Sequence, residues 1–316
     1  MQIAVDTGNK QIKTKHFTFV SGITSQDTAP MMGSPELFMR FDGKYYILTN
    51  KRIPYQRDKS ETPAFFTLTI MGIVKELDYM CRHEQLAYEK NKVYPITLLA
   101  GLPPAHLQDI NVCKNFKRYF RTPEPIDIVY MGKKWNIKIT KVKIFPQCYA
   151  AMMTNMGDIN NRNRVLGIDI GGFTADYIML RKGELDIEYT DSLENGVITL
   201  YQQIKKICQA RYGTRVEELD VDDILKGDYS NFDEEICQAV ISITKEFVHK
   251  LLYSFKEMDI DLKTAYVVFM GGGSVLLKQF ISESDLLRNF TFIDDINANV
   301  TGYELLNYVQ KKGSQH

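Results

Sequence analysis

One short pattern occurs twice in this chain, and it restricts the fold more than any other feature. An apolar strand ends on an aspartate, passes through a glycine turn and is followed by a returning strand. The first copy is Val5-Asp6-Thr7-Gly8-Asn9; the second is Ile168-Asp169-Ile170-Gly171-Gly172-Phe173-Thr174. A hairpin of this kind exposes successive backbone N–H groups that can cradle an anion. Glycine lets the backbone approach a phosphate with no Cβ between them. A carboxylate beside a phosphate is repelled unless a cation separates them, so the two acids together point to Mg2+. Lys13, on the strand leaving the first turn, can neutralise phosphate charge. A single such turn is also what any hairpin requires; two of them, each opening a similar half, imply an internal duplication at domain scale.

The rest of the chain fits an α/β alternation. Strands are expected at 2–5, from 12 through Phe17 and Phe19, and at 45–49. A helix follows Thr62-Pro63, with apolar residues at Phe66, Ile70, Ile73, Leu77 and Met80 in the helical period. Residues 94–100 read as a buried strand, 125–145 as a hairpin and a further strand, and Gln147 to about Met156 as a short helix. The polar run 160–164 reads as the hinge. Beyond it come strands at 165–168, 174–180 and 185–189, helices at 196–212 and 233–258, and a strand at 265–270. The longer helix carries a stripe at Ile236, Val240, Ile243, Phe247, Leu251, Phe255 and Met258. A last helix spans about 302–309. Met31-Met32 and Phe65-Phe66 read as core packing, with subunit contact as the alternative.

A third glycine turn, Gly271-Gly272-Gly273, joins the 265–270 strand to a helix. It lacks the Lys-Ser/Thr ending of a phosphate-binding Walker loop and the context of a dinucleotide fingerprint. It permits flat contact with a base or ribose, although taken alone it reads first as a tight packing of helix on strand.

Composition narrows the function. Lys+Arg and Asp+Glu are both 39, for zero formal net charge, which argues against direct binding of nucleic acid or acidic lipid by bulk electrostatics. Apolar residues at 44% and charged residues at 25% describe an ordinary globular chain. No apolar run is long enough for a membrane span, and the N-terminus has no secretory core, so a cytoplasmic protein is expected. The five cysteines form no CxxC pair and read as reduced thiols rather than a disulfide framework or zinc site. The five histidines are scattered and suggest no triad.

In order, Asp6-x-Gly8, Asp169-x-Gly171-Gly172-x-Thr174 and Gly271-Gly272-Gly273 resemble the phosphate-1, phosphate-2 and adenosine motifs of the actin-like ATPase superfamily. Within it the chain is most similar to the plasmid-segregating ParM (StbA) actins. Residues 141–147 and 267–273 and the junction Asp191-Ser192 to Gly196-Val197 support the resemblance, which is weak across 20–90. It implies the α/β actin-like ATPase fold, two RNase-H-like domains around a nucleotide cleft. Domain I would span 1–163, with a small divergent subdomain at about 20–90 and a C-terminal helix 301–313 packing back on it; domain II would span 164–300.

The resemblance also implies roles. Asp6 and Asp169 would hold Mg2+ through water. Gly8, Asn9, Lys13, Gly171, Gly172 and Thr174 would grip the phosphates of ATP or GTP, and Gly271, Gly272 and Gly273 would contact the adenosine. Gln147 falls where the family orients the attacking water, where ParM proteins commonly carry a carboxylate, and is the candidate for that role; a plain helix N-terminal residue is the alternative. Phe173 replaces a small or hydroxyl residue. The expected function is a nucleoside triphosphatase that polymerises with bound nucleotide and moves DNA through a ParR-type adaptor, its partners being other copies of itself and that adaptor, with no membrane. A small-molecule kinase of the same superfamily is the alternative. A chaperone would need a peptide-binding domain for which the chain has no room, and a nucleotide-free structural relative would not need intact acid–glycine turns.

Overall fold

The computed structural model describes residues 1–56 and 58–313. The chain divides into two compact units, Met1–Ala150 with Asn299–His316, and Ala151–Ala298. The polar run 160–164, read as the hinge, lies inside the second unit.

The first unit contains a nine-stranded sheet in the order β3-β2-β1-β7-β9-β8-β5-β6-β4. Its strands are β1 (Gln2–Thr7), β2 (Gln11–Lys13), β3 (Thr18–Val20), β4 (Ile23–Gln26), β5 (Phe38–Phe41), β6 (Lys44–Leu48), β7 (Val93–Leu102), β8 (Ile126–Tyr130) and β9 (Lys133–Pro146). The second unit contains a five-stranded sheet, β12-β11-β10-β13-β14. These strands are β10 (Arg164–Ile170), β11 (Ala175–Arg181), β12 (Glu184–Leu193), β13 (Tyr266–Met270) and β14 (Asn289–Phe292).

The duplication is visible in the pairing. In the second unit β10, β11 and β12 form an antiparallel meander, and β13 and β14 join β10's other side in parallel. In the first unit β1, β2 and β3 form the same meander, with β7 and β9 joining in parallel. Parallel strands need crossover connections, which usually carry helices. Here Ala64–His83 precedes β7, and Val197–Tyr212 and Glu234–Glu257 precede β13.

Several details differ from the reading of the sequence. The returning strand expected from Ile12 through Phe19 is two strands, because Thr14 N donates to Phe17 O at 2.8 Å and turns the chain. The hairpin and separate strand expected at 125–145 share one long strand, β9. Strands β4, β5 and β6 extend the first unit's sheet beyond β8. Met31 and Met32 are 99% and 92% exposed, so their reading as core residues is wrong, whereas Phe65 is fully buried.

The core of the second unit lies between its sheet and the two long helices. The stripe on Glu234–Glu257 is buried at Ile236, Val240, Ile243, Phe247, Leu251 and Phe255, with Met258 packed beside it. Each such side chain contributes about 1.5–3 kcal/mol of burial. In the first unit Ala64–His83 is buried nearly all round; Thr67 and Thr69 tolerate this because their hydroxyls donate to Pro63 O and Phe65 O. All five cysteines are free thiols. Among the described residues no helix is long and apolar enough to cross a membrane.

Candidate functional site

In the first unit, Asp6 is the last residue but one of β1 and is 5% exposed. The β1–β2 register sets Asp6 directly opposite Lys13, and residues so paired project from the same face. Gly8 makes the turn possible: a Cβ there would lie 2.6 Å from Gln11 O. The Gly8 carbonyl accepts from Ser21 Oγ at 2.6 Å. In a trans peptide the N–H points opposite to the carbonyl, so the Asn9 amide is turned away from Ser21. Asn9 Oδ1 accepts from Gln56 N at 3.4 Å, so this side chain braces the turn.

Gln147, expected as a water-orienting residue, is buried, and its Nε2 donates to Asp6 Oδ1 at 2.7 Å. A carboxylate oxygen accepts, so the NH2 end of the amide must be the one facing Asp6. That leaves Gln147 Oε1 as the acceptor end.

In the second unit, Asp169 occupies the equivalent position on β10. The register places Asp176 of β11 directly across from it, followed by Ser192 of β12. Asp169 is 8% and Asp176 6% exposed. Like charges directly opposite one another are destabilising, so this row suits a bound cation. Asp176 is absent from the site expected from sequence, although a signal existed. The first hairpin pairs positions 6 and 13, and the second pairs 169 and 176 with the same offset.

The turn between β10 and β11 is tied to the helix Val197–Tyr212. Gly171 N donates to Thr174 O at 2.8 Å, while Gly171 O and Gly172 O accept from Val197 N and Ile198 N at 3.1 and 2.8 Å. With these carbonyls committed to the helix, the amides of Gly172 and Phe173 point away from it, as an anion cradle requires. The Phe173 side chain packs against the unit's core, so replacing a small residue there leaves the backbone geometry intact.

The third glycine turn divides its work. Gly271 has φ +85, and a Cβ on it would lie 2.1 Å from Asp169 Oδ1; any side chain there would displace the carboxylate. Gly273 packs against Ile170 and Val197, whereas Gly272 faces open space with no atom within 4 Å of its Cβ position. Of the three, Gly272 is the position with room for a ligand.

The donors present fit a magnesium nucleotide. The Asp6 carboxylate accepts from the Gln147 amide. The adjacent Thr7 hydroxyl is fully buried and finds no hydrogen-bond partner among the described residues. No three His, Cys, Asp or Glu side chains among the described residues form a metal cage. This donor set suits Mg2+, which keeps most of its waters and takes one or two carboxylates together with phosphate oxygens.

The family model for the C-terminal part of the archaeal MreB-like actin homologues matches residues 167–283. No curated protein matches the chain by sequence. Among solved structures, the archaeal actin homologue Ta0583 is 17% identical, with a TM-score of 0.77 over 98% of this chain and 99% of that one. The actin-like protein Alp7A is 15% identical, with a TM-score of 0.72 over 100% and 98%. The pSK41 ParM protein in its apo form is 15% identical, with a TM-score of 0.67 over 100% and 99%. These likenesses extend over the whole chain and establish the fold: both units belong to an actin-like α/β architecture.

Proposed function

We propose that this chain is a ParM-type, Mg2+-dependent nucleoside triphosphatase that assembles into filaments. The observation that carries the reading is the duplicated turn, with a buried aspartate one residue before the end of each strand and backbone amides turned outward beside it. Ta0583 has been crystallised with ADP, a Bacillus thuringiensis ParM with AMPPNP, and Alp12 as a filament; these support nucleotide binding and self-assembly here.

Asp6 and Asp169 would hold the metal through water, and Gly8, Gly171, Gly172, Lys13 and Thr174 would hold the phosphates. When bound, Mg2+ would offset the charge on the phosphate oxygens. Gln147 accepts a hydrogen bond from the attacking water through Oε1 while Asp6 fixes its other end. Phosphoryl transfer depends chiefly on positioning and charge stabilisation, so a neutral amide can serve. Gly272 gives the base or ribose a flat approach.

Zero net charge favours DNA transport through a separate DNA-bound adaptor of ParR type, and it limits repulsion between protomers along a polymer. The test is phosphate release from ATP and from GTP, with Mg2+ or with excess EDTA. Release that needs Mg2+ supports the reading. Phosphate passed to a small-molecule hydroxyl in the absence of assembly would instead identify a kinase.

A further inference from the structure

The loop bearing Gln147 is clamped from behind by the C-terminal helix Ala298–Gly313. Cys148, the next residue, has φ +63, a left-handed backbone that non-glycine residues adopt only when their surroundings enforce it. Its amide donates to Asn299 Oδ1 at 3.1 Å, a buried hydrogen bond from the helix's first turn. One turn further on, Gly302 lies so close to the loop that a Cβ would come within 1.9 Å of Ala150 O. Tyr303 is fully buried and stacks on Phe145, with ring centroids 5.8 Å apart and planes 15° from parallel.

The strand beneath is shaped to receive this arrangement. A Cβ on Gly101 of β7 would lie 1.9 Å from Tyr303 Oη and 2.8 Å from Gln147 Cγ. The Tyr303 hydroxyl and the Gln147 stem therefore share the space that a side chain at 101 would fill. Gln147 N also donates to Leu102 O at 3.0 Å. Farther along the helix, Asn307 Oδ1 accepts from Lys143 Nζ at 2.6 Å. Ala4, Leu99, Phe145, Ala150, Val300 and Tyr303 form a small core of their own, separate from the main core of the unit.

We infer that Asn299 and Tyr303 are positioning residues for Gln147: they set the backbone and stem of the side chain whose amide Asp6 holds, and so determine where Oε1 points. This rests on the hydrolytic role proposed for Gln147. It assigns to the C-terminal helix a part in turnover in addition to its part in folding.

The experiment measures single-turnover phosphate release and nucleotide Kd for Asn299→Leu, Asn299→Asp, Tyr303→Phe, Gln147→Ala and the double variant Gln147→Ala/Asn299→Leu. Asn299→Leu removes the acceptor, and turnover should fall on the order of ten- to a hundredfold with Kd within about twofold. Asn299→Asp keeps an acceptor oxygen and should restore most of the rate. Tyr303→Phe removes only the hydroxyl and should slow turnover several-fold, which provides the decision if Asn299→Leu does not fold. In the double variant the Asn299 change should add no further loss, because both act through one group. Additive losses, or lowered thermal stability with unchanged turnover, would overturn the inference while leaving the role of Gln147 intact. Unchanged turnover in Gln147→Ala would overturn the role itself.

Discussion

Replacing Gly271 by alanine isolates the contact between the third glycine turn and Asp169. At φ +85 a left-handed alanine costs about 1–2 kcal/mol. The new methyl would also lie 2.1 Å from Asp169 Oδ1 and 2.9 Å from Ile170 O, and driving the carboxylate off its rotamer adds about 0.5–1.5 kcal/mol. A destabilisation of roughly 2–3 kcal/mol corresponds to a fall in Tm of about 4–12 °C for a domain of this size. The neighbouring Gly272→Ala is the internal control. Its Cβ meets nothing within 4 Å, and the helical backbone should gain up to about 1 kcal/mol from the lost flexibility of the unfolded chain. The two variants should therefore shift thermal unfolding in opposite directions. Nucleotide titration adds a second readout: Gly271→Ala should weaken Mg-nucleotide binding through Asp169, and Gly272→Ala should weaken it only through contact with the base or ribose. Equal shifts in Tm, or a Gly271→Ala protein as stable as the parent, would refute this account of the turn.

Further outcomes follow from other sites. Gln147→Ala should bind nucleotide with little change but hydrolyse it more slowly, so that filaments persist longer in a light-scattering trace; equal loss of binding and turnover would make Gln147 a structural residue. The Tyr119 phenol donates to Thr62 O at 2.5 Å and accepts from Phe66 N at 2.6 Å, and burial pushes its pKa up to about 12 from an ordinary 10.0. The folded chain keeps this proton where the unfolded chain loses it, so the contribution to stability is complete below about pH 10 and declines as pH rises toward about 12. Tyr119→Phe should lower stability at neutral pH by about 1 kcal/mol and flatten that alkaline decline in urea titrations; an unaltered slope would discount the phenol. Trp135, the only tryptophan, is fully buried between Tyr88 and Tyr94, so its emission should be blue-shifted and should move to the red as the first unit unfolds.

Much of this architecture was legible because it rests on local patterns. The paired acid–glycine turns and the strict apolar stripe from Ile236 to Phe255 are short-range signals, and each corresponds to a strand end or helix face in the structure. What escaped depends on pairing across distance. Asp176 gains meaning only once the hairpin register sets it against Asp169. The roles of Asn299 and Tyr303 depend on the C-terminal helix returning to the 145–150 loop, a contact between segments about half the chain apart. Strand β6 corresponds to the strand expected at 45–49, but β4 and β5, four residues each, carry too short a pattern to show, and the order of the three in the sheet comes from tertiary pairing rather than propensity. Met31 and Met32 show the converse error: two adjacent apolar side chains suggest a core, yet they lie exposed in the segment between β4 and β5.

Nucleotide-driven assembly and hydrolysis are tested together by sedimentation of the protein with Mg-ATP and with Mg-GTP, with phosphate release measured in the same tubes for the parent chain and Asp169→Ala. The parent should pellet with at least one Mg-nucleotide and release phosphate as it assembles, whereas Asp169→Ala should lose phosphate release. A parent chain that stays in the supernatant across protein concentration and salt, or an Asp169→Ala variant that hydrolyses nucleotide at the parental rate, would contradict the account.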